Sequence, residues 1–246
     1  MHTYQIIIEY DGTNFVGWQK QKNGSSIQQT IEKILTKILK EKIILYGSGR
    51  TDAGVHAVGQ SAHFISKSKV INKYIFLNSV NFFLLKKKIS ILKINKKKSN
   101  FHARFSAKKR EYKYVIANRI APLSLNFNRA WHIKSILNFE LIKKAAKLLE
   151  GNKDFSTFRS SSCNAKSPIK TLEQAIVKKS GTKIIITFRS KSFLQQQVRS
   201  MVGCLKFVGE GKWNLKKFKY IIKSKKRSNC APPAPGYGLY LFKVYY

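Results

Sequence analysis

The feature that most constrains the fold is a pattern of strand-like segments and amphipathic helices that occurs in both halves of the chain. Isoleucine and leucine recur at helical spacing in SIQQTIEKILTKILK, and the isoleucine-rich TYQIIIEY before it is typical of a strand. FELIKKAAKLLEG predicts another amphipathic helix, and KREYKYVIAN alternates as a strand. A helix with one apolar stripe has to bury that stripe against another layer. The pattern therefore predicts an α+β fold with helices packed on sheets.

The chain is long enough to form one domain or two small ones, since it has 246 residues. The strand and helix pattern restarts near residue 101. We therefore expect two α+β lobes, residues 1–100 and residues 101–246, with a boundary that sequence patterns define only to within several residues.

Short polar motifs predict where the helices begin. The Ser-x-x-Gln spacing of a capping box occurs at Ser26–Gln29 and again at Ser192–Gln195, the second just before an apolar helical segment. Asparagine side chains accept hydrogen bonds at helix starts, so Asn138 and Asn214 are the expected caps of two further helices.

Charge is the most extreme property of the composition. The chain has 48 lysines and arginines against 11 acidic residues, for a net charge of +37. Such an excess favours a polyanionic partner, most simply a nucleic acid, because basic side chains displace counterions from phosphates. Only nine of the 48 are arginines, so an AT-rich coding sequence also explains part of the lysine content. Charge alone leaves both explanations open.

Missing motifs remove several classes of chemistry. The sequence has no Walker P-loop, no HExxH and no CxxC, and its histidines show no metal-ligand spacing. Three widely separated cysteines are typical of reduced thiols, which fits a cytoplasmic protein. No apolar run is long enough for a transmembrane helix, and no secretory leader is recognisable. We expect neither a metal nor a cofactor, and no membrane association.

One carboxylate stands out in the segment GSGRTDAGVHA. Asp52 follows Arg50 by two positions, and on an extended segment this spacing places both side chains on one face. A guanidinium nearby favours the ionised carboxylate, which can act as a covalent nucleophile. Asp-Ala-Gly is also ordinary turn chemistry, so the residues alone leave catalysis and structure as alternatives.

Several segments, in order along the chain, resemble the family of tRNA pseudouridine synthase A. They are EYDGTNFVGWQKQ, GSGRTDAGVHAVGQSAHF, FHARFSAKKREYKYVIAN, GNKDFSTFR, FLQQQVRSMVGCL and GLYL. The resemblance implies two ferredoxin-like lobes with adjoining antiparallel or mixed sheets, flanked by helices, and an RNA cleft between them. The sequence departs from the family at Gln195–Gln197, where many members have a His-His-Met run or a similar one.

The same resemblance implies a role for each matched residue. Asp52, in the N-terminal lobe, corresponds to the nucleophile, and Arg50 to the arginine that assists base flipping. Tyr112, in the C-terminal lobe, corresponds to the tyrosine that stacks on the target uracil, and Arg199 to the basic partner of the carboxylate. The residues alone also fit a core tyrosine on a strand at Tyr112 and a solvated helix arginine at Arg199. His56 could contact the substrate, but a histidine at this position favours a structural hydrogen bond. The resemblance leaves open whether Asp52 attacks the sugar or the base.

The implied reaction is isomerisation of uridine to pseudouridine at positions 38, 39 and 40 in the anticodon stem-loop of tRNA, by a homodimer without a cofactor. Two alternatives remain. One is a non-catalytic RNA-binding protein, which needs only the basic composition. The other is a pseudouridine synthase of the same fold that acts on a different RNA, such as ribosomal RNA.

Overall fold

The computed structural model describes all of residues 1–246, which form two compact units. Unit 1 comprises Met1–Lys108 and Tyr240–Tyr246, and unit 2 comprises Lys109–Leu239. Both units combine strands with helices, so the predicted α+β class is confirmed. In chain order the elements are β1 (His2–Tyr10), α1 (Ile27–Leu39), β2 (Tyr46–Gly47), β3 (His56–Ser66), α2 (Lys73–Leu84), β4 (Ile89–Lys97), β5 (Lys109–Asn118), β6 (Trp131–Ile133), α3 (Phe139–Lys147), β7 (Gly151–Asp154), β8 (Ile169–Ser180), β9 (Lys183–Ser190), α4 (Gln197–Gly209), α5 (Leu215–Ser224) and β10 (Leu239–Tyr245).

The sheet of unit 1 has the strand order β4-β1-β3-β10. Strand β1 pairs antiparallel with both β3 and β4, whereas β10 runs parallel to β3 and pairs with its first residues. The short β2 pairs with the other end of β3, where Tyr46 lies opposite His63. The loop between β2 and β3, residues 48–55, contains most of the GSGRTDAGVHA segment, and the two strands that flank it are paired with each other.

Burial in unit 1 follows the periodicity of the sequence. Alternate side chains of β1 are buried on one face, and the apolar stripes of α1 and α2 are buried as well (Tyr4, Ile6, Ile8, Tyr10; Ile27, Ile31, Leu35; Phe76, Val80, Leu84). A fully buried side chain of this size contributes roughly 1.5–3 kcal/mol to folding. The predicted cap of α1 is confirmed, since Ser26 accepts a hydrogen bond from the Gln29 N–H at 3.2 Å.

The sheet of unit 2 has the order β5-β9-β8-β7, with β6 parallel to β5. Strands β8 and β9 form a hairpin closed by the Ser180–Lys183 pair, and Gly181 in its turn has a φ of +54°. Helices α3 and α5 begin at the predicted caps, because Asn138 and Asn214 accept hydrogen bonds from the Leu141 and Lys217 N–H groups.

Helix α4 corrects the sequence prediction. It begins at Gln197 rather than at a Ser192–Gln195 capping box. The Leu194 N–H donates to the Gln197 side chain at 2.8 Å, and the Gln197 N–H donates back to the Leu194 carbonyl at 3.1 Å. Gln196 between them adopts a left-handed φ of 60°. This turn occupies the residues that the capping box needs, so the capping-box prediction is wrong here.

The two units differ from the predicted lobes, residues 1–100 and 101–246, because the C-terminal segment of the chain belongs to unit 1. The boundary lies at Lys108, and the segment Tyr240–Tyr246 belongs to unit 1. The reason is backbone pairing, since Tyr240 and Leu241 align with His56 and Ala57 of β3. The Tyr246 hydroxyl oxygen then lies 2.8 Å from both the Ser61 hydroxyl and the Ala103 carbonyl oxygen.

Candidate active site

The loop that carries Asp52 is fixed on one side by β3. The Ser48 N–H donates to the Ser61 carbonyl at 2.7 Å, and the Ser48 hydroxyl donates to the Gln60 side chain at 2.7 Å. The amide of Gln60 in turn donates to the Gly49 carbonyl at 2.9 Å. Gln60 is fully buried, so these bonds hold the start of the loop in a protected environment.

The other side of the loop is fixed by the segment between β1 and α1. The Trp18 N–H donates to the Thr51 carbonyl at 3.0 Å, and the hydroxyls of Tyr10 and Thr51 are 2.8 Å apart. After Asp52 the chain turns, because the Val55 N–H donates to the Asp52 carbonyl at 3.2 Å and Gly54 adopts a φ of +73°. The backbone on both sides of Asp52 therefore has fixed partners.

Two glycines allow this close approach. A Cβ atom on Gly12 would lie 2.0 Å from the Val55 carbonyl oxygen, and one on Gly17 would lie 2.6 Å from the Thr51 carbonyl oxygen. Gly17 also has a φ of +114°, which residues with a side chain rarely adopt. No side chain fits at either position without moving the Asp52 loop.

Side chains alternate along the loop around Asp52. Thr51 is buried against Tyr10, whereas Arg50 is exposed and Asp52 is half-buried. An extended segment produces such an alternation of exposure, and the placement of Arg50 and Asp52 on one face stays a prediction.

His56 is buried at the start of β3, with 1% of its surface exposed. The Gly12 N–H donates to its Nδ1 at 3.1 Å, Asp11 Oδ1 lies 3.2 Å from the same atom, and the ring stacks on Tyr240 at 4.8 Å. These contacts connect the segment after β1 to β3. They match the structural role of His56 and leave almost no surface for a substrate contact.

Tyr112 lies on β5 in unit 2, two residues from Tyr114 on the same face. Its ring meets Phe193 edge-on at 5.2 Å, and 8% of its surface is exposed. Tyr114 is fully buried, and its hydroxyl donates to the Pro235 carbonyl at 2.8 Å. Burial raises the pKa of Tyr114 well above its usual value, and the nearby charge of Arg199 partly opposes this shift. Tyr114 is thus a core residue, and Tyr112 is the more accessible of the two.

Arg199 lies in the first turn of α4. Its Nε donates to the Ala234 carbonyl at 2.7 Å, and the Ala234 N–H donates to the Arg199 carbonyl at 3.0 Å. The segment around Ala234 packs closely on the helix, because a Cβ on Gly203 would lie 2.1 Å from the Pro232 carbonyl oxygen. These contacts orient the Arg199 side chain.

A family model described as tRNA pseudouridine synthase matches residues 6–106 and 145–246. The chain belongs to this family. It is 59% identical over 246 residues to the tRNA pseudouridine synthase A of Pelagibacter ubique, with all of both chains covered. It is also 45% identical to the enzyme of that name from Ehrlichia ruminantium and 44% identical to that from Parvibaculum lavamentivorans, with 99% and 100% of each chain covered.

The residues that resemblance to this family assigned to the site divide between the two units. Arg50, Asp52 and His56 lie in unit 1, whereas Tyr112 and Arg199 lie in unit 2. No group of three or more His, Cys, Asp or Glu side chains is placed to hold a metal ion. No helix is long and apolar enough to cross a membrane.

Sequence reasoning missed the residues that hold the Asp52 loop. Tyr10, Gly12, Gly17 and Trp18 make the contacts described above, and none of the four is among the predicted site residues. The available signal was the position of these four residues within EYDGTNFVGWQKQ, one of the segments that resemble the family. Their spacing alone contains no information about which distant loop they contact.

Proposed function

We propose that this chain isomerises uridine to pseudouridine at positions 38, 39 and 40 in the anticodon stem-loop of tRNA, with Asp52 as the nucleophile. Membership of the tRNA pseudouridine synthase family supports the reaction and the class of RNA. The segments of the sequence that resemble tRNA pseudouridine synthase A support the choice of nucleotides. A tRNA substrate also favours a cytoplasmic location.

The reaction conserves the atoms of the nucleoside apart from one hydrogen exchange. The bond between the ribose C1′ and the uracil N1 breaks, the base rotates, and C1′ bonds to C5 instead. The hydrogen on C5 leaves as a proton, and N1 gains one. The balance needs no oxidant or reductant, so a positioned nucleophile and an environment that retains the free base are sufficient.

The observation that carries the proposal is the fixation of the backbone around Asp52. Thr51 on one side and the Asp52 carbonyl on the other have hydrogen-bond partners, and Gly12 and Gly17 pack directly against the loop. A nucleophile has to be held within about 0.5 Å of its productive position relative to the reacting atom. A surface aspartate that only completed a turn would not need this support.

We assign the remaining roles from the matched segments. Arg50, which is exposed, enters the RNA helix when the target nucleotide leaves the stack, a step that costs a few kcal/mol. Tyr112 stacks on the uracil, and Arg199 is the basic partner of the catalytic carboxylate. The excess of lysine and arginine positions tRNA phosphates, and the working form is a homodimer.

The decisive experiment replaces Asp52 with alanine and follows tritium release from tRNA labelled at uracil C5. We expect release to fall to background while tRNA affinity changes by no more than about threefold, because the carboxylate acts in chemistry rather than in binding. Asp154→Ala is the matched control. Asp154 accepts a hydrogen bond from the Ser156 N–H in unit 2, so this variant should stay active. Turnover by Asp52→Ala would contradict the assignment of Asp52 as the nucleophile.

A second experiment identifies the RNA. Pseudouridine is mapped in tRNA and ribosomal RNA after incubation with the purified protein. Modification at positions 38, 39 and 40 of tRNA supports the proposal, and modification of ribosomal RNA alone contradicts the substrate. If no RNA is modified although tRNA binds tightly, the protein is an RNA-binding protein without this activity.

A further inference from the structure

We propose that Tyr46, His102 and Phe105 form a stacking surface for an unpaired base of the RNA substrate. We call these three residues the aromatic surface; all lie in unit 1, and none belongs to the residues assigned to catalysis. The inference rests on the proposed function, because it names a contact that the same RNA makes away from Asp52.

The three rings form a continuous set. The His102 ring lies 4.4 Å from the Phe105 ring at an interplanar angle of 35°, and 5.7 Å from the ring of Tyr46. Beneath them is the buried ring of His63, which stacks on Tyr46 at 5.1 Å and meets His102 edge-on at 4.6 Å. The inner end of the set is therefore anchored in unit 1, and its outer end reaches the surface.

The outer rings are exposed although they are large and apolar. Phe105 has 75% of its surface exposed and Tyr46 has 43%. Water contact on a ring of this size is unfavourable, and removing it on binding contributes to affinity. A base has a face that is large enough to cover the rings, and stacking of bases on aromatic side chains tolerates every base.

The turn that carries Phe105 is held by hydrogen bonds within the turn itself. The Ser106 N–H donates to the His102 carbonyl at 2.8 Å, and the His102 N–H donates to the Ser106 hydroxyl at 3.0 Å. His102 Nδ1 also accepts from the N–H groups of Arg104 and Phe105, at 3.1 and 3.4 Å. A preformed turn loses less conformational entropy on binding than a mobile loop does, so Phe105 can contribute more to affinity than an exposed phenylalanine on such a loop.

The turn is fixed to the sheet beneath it as well. The Ala103 N–H donates to His63 Nδ1 at 3.1 Å, and the Ala103 carbonyl accepts from the Tyr246 hydroxyl at 2.8 Å. Burial lowers the pKa of His63 to about 4, so its ring is neutral at pH 7 and remains an acceptor for the Ala103 N–H. The position of Phe105 is thus set from both ends of the turn.

Cations beside the rings favour a nucleotide over an apolar protein partner. The Arg104 guanidinium lies 5.6 Å from the Phe105 ring centre. The Lys97 ammonium lies 5.2 Å from the ring of Phe101, which is outside the aromatic surface but contacts the His63 ring beneath it. A base on the rings and phosphates on the cations match this combination, which is characteristic of proteins that bind single-stranded nucleic acid. Tyr46 also directly precedes the Gly47–Val55 segment, so a base held there belongs to the same RNA as the target uridine.

Binding of an anticodon-arm RNA to full-length protein tests the inference. Phe105→Ala should raise the dissociation constant roughly 5-fold to 150-fold, the range for loss of one base stack. Phe105→Tyr should retain wild-type affinity, and Phe105→Leu should not, because it is apolar but not aromatic. Phe82→Ala is the matched control, since Phe82 is 76% exposed on α2 of the same unit and should have no effect.

The salt dependence of affinity separates stacking from phosphate contacts. Phe105→Ala should leave the slope of log K against log salt unchanged, whereas Arg104→Gln should reduce its magnitude by about 0.7. RNA carrying 2-aminopurine at successive loop positions gives a measurement that does not depend on affinity. Wild-type protein should quench one position, and Phe105→Ala should not.

Two results overturn the inference. One is an affinity of Phe105→Ala equal to that of Phe82→Ala. The other is a change in the oligomeric mass of Phe105→Ala with RNA affinity unaltered, which identifies the aromatic surface as a contact between protein chains. A failure of the proposed function gives a different result. In that case wild-type protein makes no pseudouridine, and this holds for any RNA affinity of the Phe105 variants.

Discussion

The loop that carries Asp52 and the elements that carry Tyr112 and Arg199 are held by different means. The loop has no regular secondary structure of its own, and its geometry depends on glycines and hydrogen bonds contributed by residues 10–18 and by β3. Tyr112 and Arg199 lie on a strand and a helix, whose backbone bonds are internal to regular structure. Small changes near the loop should therefore disturb activity more than equal changes in unit 2.

Two glycines with almost the same steric constraint test this difference. A Cβ would lie 2.0 Å from a carbonyl oxygen at Gly12 and 2.1 Å from one at Gly203. We expect Gly12→Ala and Gly203→Ala each to lower the free energy of unfolding by about 3 kcal/mol, because backbone has to move in both. Gly12→Ala should also lower turnover about 100-fold, the effect of displacing a reacting group by about an ångström. Gly203→Ala should lower turnover less, because the segment that it moves contacts Arg199 and not the nucleophile.

Chemical denaturation and single-turnover assays measure both quantities. Gly181→Asn provides the control, since nothing lies within 4 Å of a Cβ there and asparagine tolerates its positive φ. Equal losses of turnover in Gly12→Ala and Gly203→Ala would contradict the distinction between the loop and unit 2.

A pH titration tests how the burial of His63 affects the stability of unit 1. Burial lowers the pKa of His63 to about 4, against 6.5 in the unfolded chain, so between these values the unfolded state binds a proton that the folded state does not. The stability of unit 1 should therefore fall as pH decreases from 6.5 to 4, by about 2 kcal/mol from this residue. The measurement is the denaturation midpoint against pH, and His63→Gln should flatten the curve in that window.

The two tyrosines of β5 sharpen the comparison within unit 2. Tyr114→Phe leaves the Pro235 carbonyl without its 2.8 Å donor and should cost about 1–2 kcal/mol of stability with little change in turnover. Tyr112→Ala should lower turnover roughly 5-fold to 150-fold through the loss of stacking on uracil. Thermal unfolding and tritium release distinguish these effects, and a larger turnover loss in Tyr114→Phe would reverse the assignment.

The smallest expected effects concern two helix starts. Ser26→Ala removes the cap of α1 in unit 1 and should destabilise the protein by about 1 kcal/mol. Gln196→Gly removes a side chain from a left-handed residue and should change stability by no more than about 0.5 kcal/mol, since relief of strain and the greater freedom of the unfolded chain oppose each other. Urea denaturation measures the free energy of unfolding of both variants. A large loss of stability in Gln196→Gly would show that the Gln196 side chain has another role.

Sequence predicted those parts of the fold that depend on local chemistry. Ser26, Asn138 and Asn214 cap their helices as expected, because a cap needs only the nearby backbone. Ser192–Gln195 failed because a turn built on the Gln197 side chain competes for the same residues. The short strands β6 and β7 have too few residues to show a period, and pairing with distant strands creates them.

The site shows the same limit. Asp52, Arg50, Tyr112 and Arg199 were predicted from segments that resemble the family, whereas their chemistry alone left a turn, a core tyrosine and a surface arginine as alternatives. The contacts of Gly12 with Val55 join residues more than forty positions apart. No periodicity or spacing in one sequence encodes such a pair.

The return of β10 to unit 1 has a consequence for synthesis on the ribosome. The sheet of unit 1 lacks the strand parallel to the start of β3 until all of unit 2 has been translated. Unit 2 is continuous in sequence and can complete its contacts as it emerges, whereas unit 1 begins first and finishes last. Because this contact closes over a long stretch of chain, we expect the assembly of unit 1 to come late in folding. A nascent chain that stalls within unit 2 exposes the unpaired edge of β3 beside the Asp52 loop.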